Sequence, residues 1–340
     1  MNREDIRKNM NFIDLFSGCG GKSLGFVKKG FNNLFAIDID KNACATYKKN
    51  FPNHLVLNED IINLNEQRIK SIIGKKKVDL IIGGPPCQGF SIAGSIGRNF
   101  IDDPRNHLFK EFARIVSILK PKYFIMENVA RVYTHRNGNT RMEILKTFTK
   151  LGYDVDCQII NSADYGVPQV RKRIIFIGNN KCIKNIFPKI KTLKYKNVFE
   201  AISDLPKLSS GQSSEIPNHN AMNHTDKMLT KMSFIKDGGN RKQIPSNLQP
   251  KTGDIRKYIK YNSKEPSICI TGDMRKVFHY NQNRALTVRE LARLQSFPDD
   301  FIFCGNKISQ QQQVGDAVPP LVSKALAETI IFMEKSKIVS

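Results

Sequence analysis

The chain has 340 residues and a mass of 38.6 kDa, 40% hydrophobic and 25% charged, the make-up of a soluble globular protein with one large domain, or one and a smaller partner. Lys and Arg number 54 against 31 Asp and Glu, giving a net charge of +23 and a pI near 9.7, so a large polyanion, most simply nucleic acid, is the expected partner. The seven cysteines form no CxxC pair and the six histidines no HExxH (His219 and His224 are five apart), which disfavours a zinc site and a secreted disulfide scaffold; no metal is expected. The opening MNREDIRKNMNF has no apolar signal core, and no stretch approaches the roughly 20 apolar residues of a membrane span. A cytoplasmic protein with no membrane partner is expected.

The first half alternates β-rich runs with helical patterns. FIDLF (12–16) reads as a buried strand, followed by a glycine turn and a helix from about Lys22. NLFAIDI (33–39), HLVLN (54–58), VDLIIGG (78–84), YFIMEN (123–128) and YDVDCQII (153–160) continue the strands. DKNACATYKKNF and NHLFKEFARIVSIL (106–119) read as helices, the second with Leu108, Phe112, Ile115, Val116 and Leu119 on one face. Strands separated by helices predict an α/β fold with a doubly wound, mostly parallel sheet whose strand-end loops share one ligand-binding edge. From 181 to about 283 the texture turns irregular, rich in Lys, Asn, Ser, Gly and Pro, as in a separate loop-rich domain. SKALAETIIFMEK (323–335) returns to an amphipathic helix.

Three short segments point to chemistry. DLFSGCGGKSLGF (14–26) runs a strand through glycines into a helix, so backbone can approach a ligand. A dinucleotide GxGxxG fails because Ser23 stands where glycine is needed. The phosphate loop GxxxxGK[ST] matches at Gly21, Lys22 and Ser23 but meets Phe16 at its first position. NAD and ATP are therefore disfavoured, while an adenosine-containing ligand is not; Asp38, closing the second strand, is placed to hold ribose hydroxyls. A merely structural turn is the alternative. In GGPPCQGFS (83–91), Pro85 and Pro86 stiffen the backbone before Cys87 and Gly89 frees it afterwards. That suits a nucleophile held over a sheet edge, whereas packing as a small hydrophobe suits Cys44 or Cys157. In MENV (126–129), Glu127 after an apolar strand should lie near Cys87 and suggests acid–base work; a helix-capping Glu–Asn pair is the alternative.

Together these segments resemble the DNA cytosine-C5 methyltransferases, in family order along nearly the whole chain. DLFSGCGG is similar to the first S-adenosylmethionine motif, PPCQGFS to the nucleophile loop, ENV to the acidic motif and DYGVPQVRKRIIFIG (164–178) to the Arg-x-Arg strand. EAISDLP (200–206) and DGGNRKQIP (237–245) resemble segments of many bacterial members; NRALTVRELARLQSFPDDF (283–301) and VGDAVPPLVSKALA (314–327) resemble the last two motifs.

The resemblance implies a Rossmann-like methyltransferase fold with a second, smaller, irregular target-recognition domain. The catalytic domain would be discontinuous, 1–182 plus 303–340, and the recognition domain would span 183–302. It implies methyl transfer from S-adenosylmethionine to C5 of a flipped cytosine in duplex DNA, through a covalent bond from Cys87 to C6. Glu127 would bind the N3/N4 edge, Arg173 the cytosine O2, and Arg171 a phosphate or the Cys87 loop. Phe16 would face the adenine, with Gly18, Cys19 and Gly21 along the methionine part. Asp38 would hold the ribose hydroxyls and Asp60 the adenine amino group, with Ile39, Ile61, Pro86, Asp316 and Ala317 completing the cofactor contacts. Asp316 departs from the family's usual Asn, which puts its contact in question. Gln88, Ser91, Arg256, Lys257, Arg275 and Lys276 would touch DNA, reading bases or only phosphates. A monomer associated with the nucleoid is expected, with a restriction endonuclease as a possible companion. A tRNA-modifying relative shares the catalytic motifs, and a non-catalytic DNA-binding descendant should have lost Cys87 or Glu127; both residues stand.

Overall fold

The computed structural model describes residues 10–86, 108–250 and 257–336. Cys87, Gln88, Ser91 and Arg256 therefore lie outside the described residues. In chain order the elements are β1 (Asn11–Leu15), α1 (Gly21–Val27), β2 (Asn32–Asp38), α2 (Lys41–Asn50), β3 (Val56–Asn58), α3 (Glu66–Ile73) and β4 (Leu80–Gly83). They continue with α4 (Leu108–Leu119), β5 (Tyr123–Val129), α5 (Asn139–Lys150), β6 (Asp154–Asn161) and β7 (Lys172–Asn179). Then follow α6 (Val198–Ile202), α7 (Asp226–Ser233), β8 (Ile259–Lys260), β9 (Val277–Phe278), α8 (Val288–Leu294), α9 (Lys307–Asp316) and α10 (Pro320–Ser336).

Among the described residues, seven strands form one sheet in the order β3-β2-β1-β4-β5-β7-β6. All pair in parallel except β7, which runs antiparallel to both β5 and β6. The strand order reverses between β1 and β4, so the loops leaving these two strands open the crevice where such sheets take ligands. Register aligns their ends: Leu15 pairs with Ile37 on one side and Gly83 on the other, and Gly83 pairs with Met126. Phe16, Asp38, Gly84 and Glu127 thus emerge at one edge.

The strands form because they are apolar on both faces, as β1 and β4 show, and helices cover them. The helix α4 turns Phe109, Phe112, Ile115 and Val116 inward. Phe112 meets Phe124 and Phe148 edge to ring, Tyr153 does the same to Phe124, and Phe124 and Phe148 lie tilted with centroids 4.2 Å apart. The helix α10 lies against α1 so closely that a Cβ on Gly25 would fall 2.3 Å from the Ser323 Cβ. Contacts divide the chain into two compact units: Met1–Asn161, Lys172–Lys189 and Pro320–Ser340 form one, and Ser162–Arg171 and Ile190–Pro319 the other.

The second unit is held by polar groups buried in pairs. Arg284 and Glu290, both fully buried, meet at 2.6 Å, and Glu290 closes a capping box with Thr287 at the start of α8. Arg289, equally buried, donates to the carbonyls of Pro217, Pro298 and Phe301. A smaller apolar cluster gathers Met232, Ile235, Ile244, Tyr258 and Phe278. Among the described residues, no helix is long and apolar enough to cross a membrane.

Candidate active site

The turn after β1 begins with two residues in the left-handed region, Phe16 at φ 54° and Gly18 at φ 55°. Glycine suits the second; a Cβ there would meet nothing within 4 Å, so the turn faces open space. Across it, Asp38 at the end of β2 accepts from the Gly18 N–H at 2.7 Å and the Asp40 N–H at 2.9 Å. Burial pushes the Asp38 carboxyl upward, and those two N–H groups and Lys22 pull it back. A carboxylate has about four acceptor sites, so two remain for hydroxyl donors.

Beside Asp38, Ile39 stands 69% exposed and Ile62 61%, an uncovered apolar rim at the strand ends. Asp60 caps the turn Ile61–Asn63 by accepting from the Ile62 N–H at 3.0 Å. The side chain of Ile61 is buried in the core, so only its backbone could meet a ligand. The same holds for Cys19, 1% exposed, while Gly21 is the first residue of α1. An open glycine turn, a carboxylate with acceptor capacity and an apolar rim fit an adenosine-containing cofactor such as S-adenosylmethionine.

On the other side of β1, the end of β4 leads through Gly84 and buried Pro85 to exposed Pro86. Asn128 on β5 donates to the Pro85 carbonyl at 3.1 Å, tying this segment to the neighbouring strand. Next to it, Glu127 Oε1 lies 3.1 Å from Arg173 Nε. The pair follows from register: Glu127 opposes Ile175 and Val129 opposes Arg173, so the two are diagonal on one face, within reach of long side chains. Both side chains remain 14–18% exposed, enough to face a substrate.

Arg171, by contrast, is 2% exposed and donates to the carbonyls of Ile270 at 3.0 Å and Gly315 at 2.8 Å. These bonds tie it into its own unit, and the Cys87 loop it is expected to touch lies outside the described residues. Asp316 ends α9 and accepts from Gln312 at 2.6 Å, with half-buried Ala317 capping the helix. Lys257 and Arg275 both turn to Asp273, whose carboxyl the Arg275 hydrogen bonds hold at about 2. Lys276 lies 5.2 Å over the Tyr258 ring. Burial pushes the Cys44 thiol up to about 12, as befits a packing residue.

Two residues here escaped the reading of the sequence. Asn128 was legible only as part of ENV. Lys22 appeared as a fragment of a failed phosphate loop, yet its ammonium donates to the Phe16 carbonyl at 2.8 Å.

Comparison with known proteins identifies the family. The profile of the C-5 cytosine-specific DNA methylases matches residues 10–332. The chain is 56% identical to the Type II methyltransferase M1.HphI of Haemophilus parahaemolyticus, covering 97% of this chain and 88% of that one. It is 38% identical to the Type II methyltransferase M.DdeI of Desulfomicrobium norvegicum, over 94% of this chain and 88% of the relative. A crystal structure described as a DNA modification methyltransferase encoded within an E. coli prophage superposes with a TM-score of 0.79 at 28% identity, over 96% and 100% of the two chains. At 18% identity, the Entamoeba histolytica methyltransferase EhMeth shares the fold with a TM-score of 0.68, over 96% and 99%. With its sheet order, its Glu127–Arg173 pair and a profile match from end to end, this chain belongs to the C-5 cytosine-specific DNA methylase family.

Proposed function

We propose that the chain moves a methyl group from S-adenosylmethionine to C5 of a cytosine flipped out of duplex DNA, as the modification partner of a Type II restriction endonuclease. The names of the two relatives support the second half of that reading. The observation that carries the first half is the Glu127–Arg173 pair, set one strand away from the Pro85–Pro86 segment that leads to Cys87.

Cytosine C5 is a poor nucleophile and C6 is hidden in stacked DNA, so the base must leave the helix. The Cys87 thiolate adds to C6; an S–C6 bond forms and the π electrons of the C5–C6 bond move toward C5. Glu127 meets the developing charge at N3 with a proton or strong hydrogen bond, and Arg173 holds O2. S-adenosylmethionine, when bound, supplies an electrophilic methyl group; Gly18, Asp38 and the Ile39 rim would hold it. Loss of the C5 proton to a base then restores the double bond and expels the thiolate. Residues 1–182 with 303–340 would carry this chemistry and residues 183–302 would choose the site, the basic excess serving the phosphates.

The test uses duplex DNA carrying 5-fluorocytosine, whose fluorine blocks the final elimination. The wild type should be trapped covalently through Cys87, and Cys87→Ser should neither trap nor methylate. Trapping at another cysteine, full activity in the Ser variant, or methylation of transcribed tRNA in preference to DNA would overturn the reading.

A further inference from the structure

The Gly21-Lys22-Ser23 run, left over from the failed phosphate loop, turns inward. Ser23 Oγ donates to Asp14 Oδ2 at 2.8 Å and itself accepts from the Tyr47 hydroxyl at 2.7 Å. Asp14 is fully buried, and its Oδ1 has no hydrogen bond among the described residues; the charge that answers it is Lys22 Nζ, 3.6 Å away. The same ammonium, on a side chain 11% exposed, donates to the carbonyl of Phe16 at 2.8 Å. Phe16 holds the left-handed backbone that side chains rarely adopt, so something must fix it. The ammonium also reaches the end of β4: a Cβ on Gly84 would lie 3.6 Å from Lys22 Nζ and 3.2 Å from Glu127 Oε2.

One buried cation therefore joins the turn after β1, the carboxylate beneath it and the strand end that borders Glu127. We propose that Lys22 is a positioning residue for the methyl donor, holding the Phe16 carbonyl, and so the Phe16 ring, in place with Asp14 as its buried counter-charge. This rests on the reading of the glycine turn as the donor's cradle.

Three variants of the full chain test it: Lys22→Met, Lys22→Gln, and Asp14→Asn combined with Lys22→Met. Thermal midpoints report the fold, and calorimetry reports affinity for S-adenosylmethionine and S-adenosylhomocysteine. Lys22→Met strands the Asp14 charge, so it should lower the midpoint and weaken both ligands at least tenfold. The double variant removes both charges and should regain most of the midpoint while staying at least tenfold weak. Lys22→Gln keeps a donor for the carbonyl and should bind within about threefold of wild type. Wild-type affinity in the double variant would show that Lys22 serves only the ion pair, and overturn the proposal. So would a Gln variant as weak as the Met one. Should the double variant not fold, the Gln-against-Met comparison, made at low temperature with folding verified by circular dichroism, decides alone. A wild type that binds neither ligand would instead overturn the reading of the turn, and this inference with it.

Discussion

Two kinds of charged pair govern this molecule at the level of single residues, one open to substrate and one closed. Glu127 and Arg173 form the open pair; in the proposed reaction Arg173 holds the cytosine carbonyl, a bond worth more in a water-poor site than in solution. Arg173→Ala should lower kcat/KM for a duplex substrate by about 10²–10³-fold in a tritiated-methyl assay. Arg173→Lys should recover little of it, since an ammonium cannot reproduce a planar fork. The closed pair is Arg284–Glu290, where burial alone would raise Glu290 but the Arg284 bonds hold it below its usual range. His279 packs beside it, 3.7 Å from Glu290, with Nδ1 accepting from the Asn281 N–H. Burial holds His279 at about 4, against an attraction from Glu290 and with Arg284, Lys260 and His219 adding repulsion. The unfolded chain takes up a proton near 6.5 while the folded one does not, so stability is full above that pH and falls as pH drops toward 4. Urea unfolding should show His279→Gln flattening the wild-type pH dependence in this window by up to about 1.4 kcal/mol per pH unit. Glu127 was nominated by its place after an apolar strand, and Arg173 only through the family resemblance. Lys22 and Arg171 make inward-facing bonds that no linear pattern announces.

At the level of elements, six strands of the large sheet were read from β-rich runs and β7 only within the Arg-x-Arg segment of the resemblance, while several helices showed as periodic stretches. Strand direction was not legible, because β7 is a buried apolar run just as the parallel strand β4 is. A usable sign existed: the Ser162–Arg171 connection is shorter than the dozen or more residues a parallel crossover needs. That reversal matters to the site, since it is what sets Arg173 at the same end of the sheet as Glu127. The helices α3 and α5 were passed over, although Ile69, Ile72 and Ile73 of α3 stand at helical spacing. The meeting of α1 and α10 was hinted at by motif order alone, and it depends on one missing side chain. Gly25→Val would drive a Cβ to 2.3 Å of Ser323 Cβ and 2.4 Å of the Lys324 backbone nitrogen. It should cost about 1–3 kcal/mol in urea unfolding, and more than Gly74→Val, whose Cβ would meet nothing within 4 Å and which carries only the strain of a positive φ.

For the whole molecule, the proposed division of labour makes the recognition region exchangeable. Replacing residues 246–282 with the matching segment of a relative should change which cytosine is methylated while leaving the need for Cys87 intact. Bisulfite sequencing of a methylated random-sequence library reads this out, and a folded, active chimera that kept the parent's site would count against the division. The contact between α1 and α10 has a further consequence, in time rather than in space. Gly25 and Ser323 lie at opposite ends of the chain, so at roughly 5–20 residues per second a ribosome takes on the order of 15–60 s to travel from one to the other. Throughout that interval the nascent chain already holds the glycine turn, and soon the proline-braced cysteine and the Glu–Arg pair, while the helix that carries the turn stays uncovered. The half of the chain proposed to bind the donor thus cannot be completed until α10 has been synthesised and has covered α1.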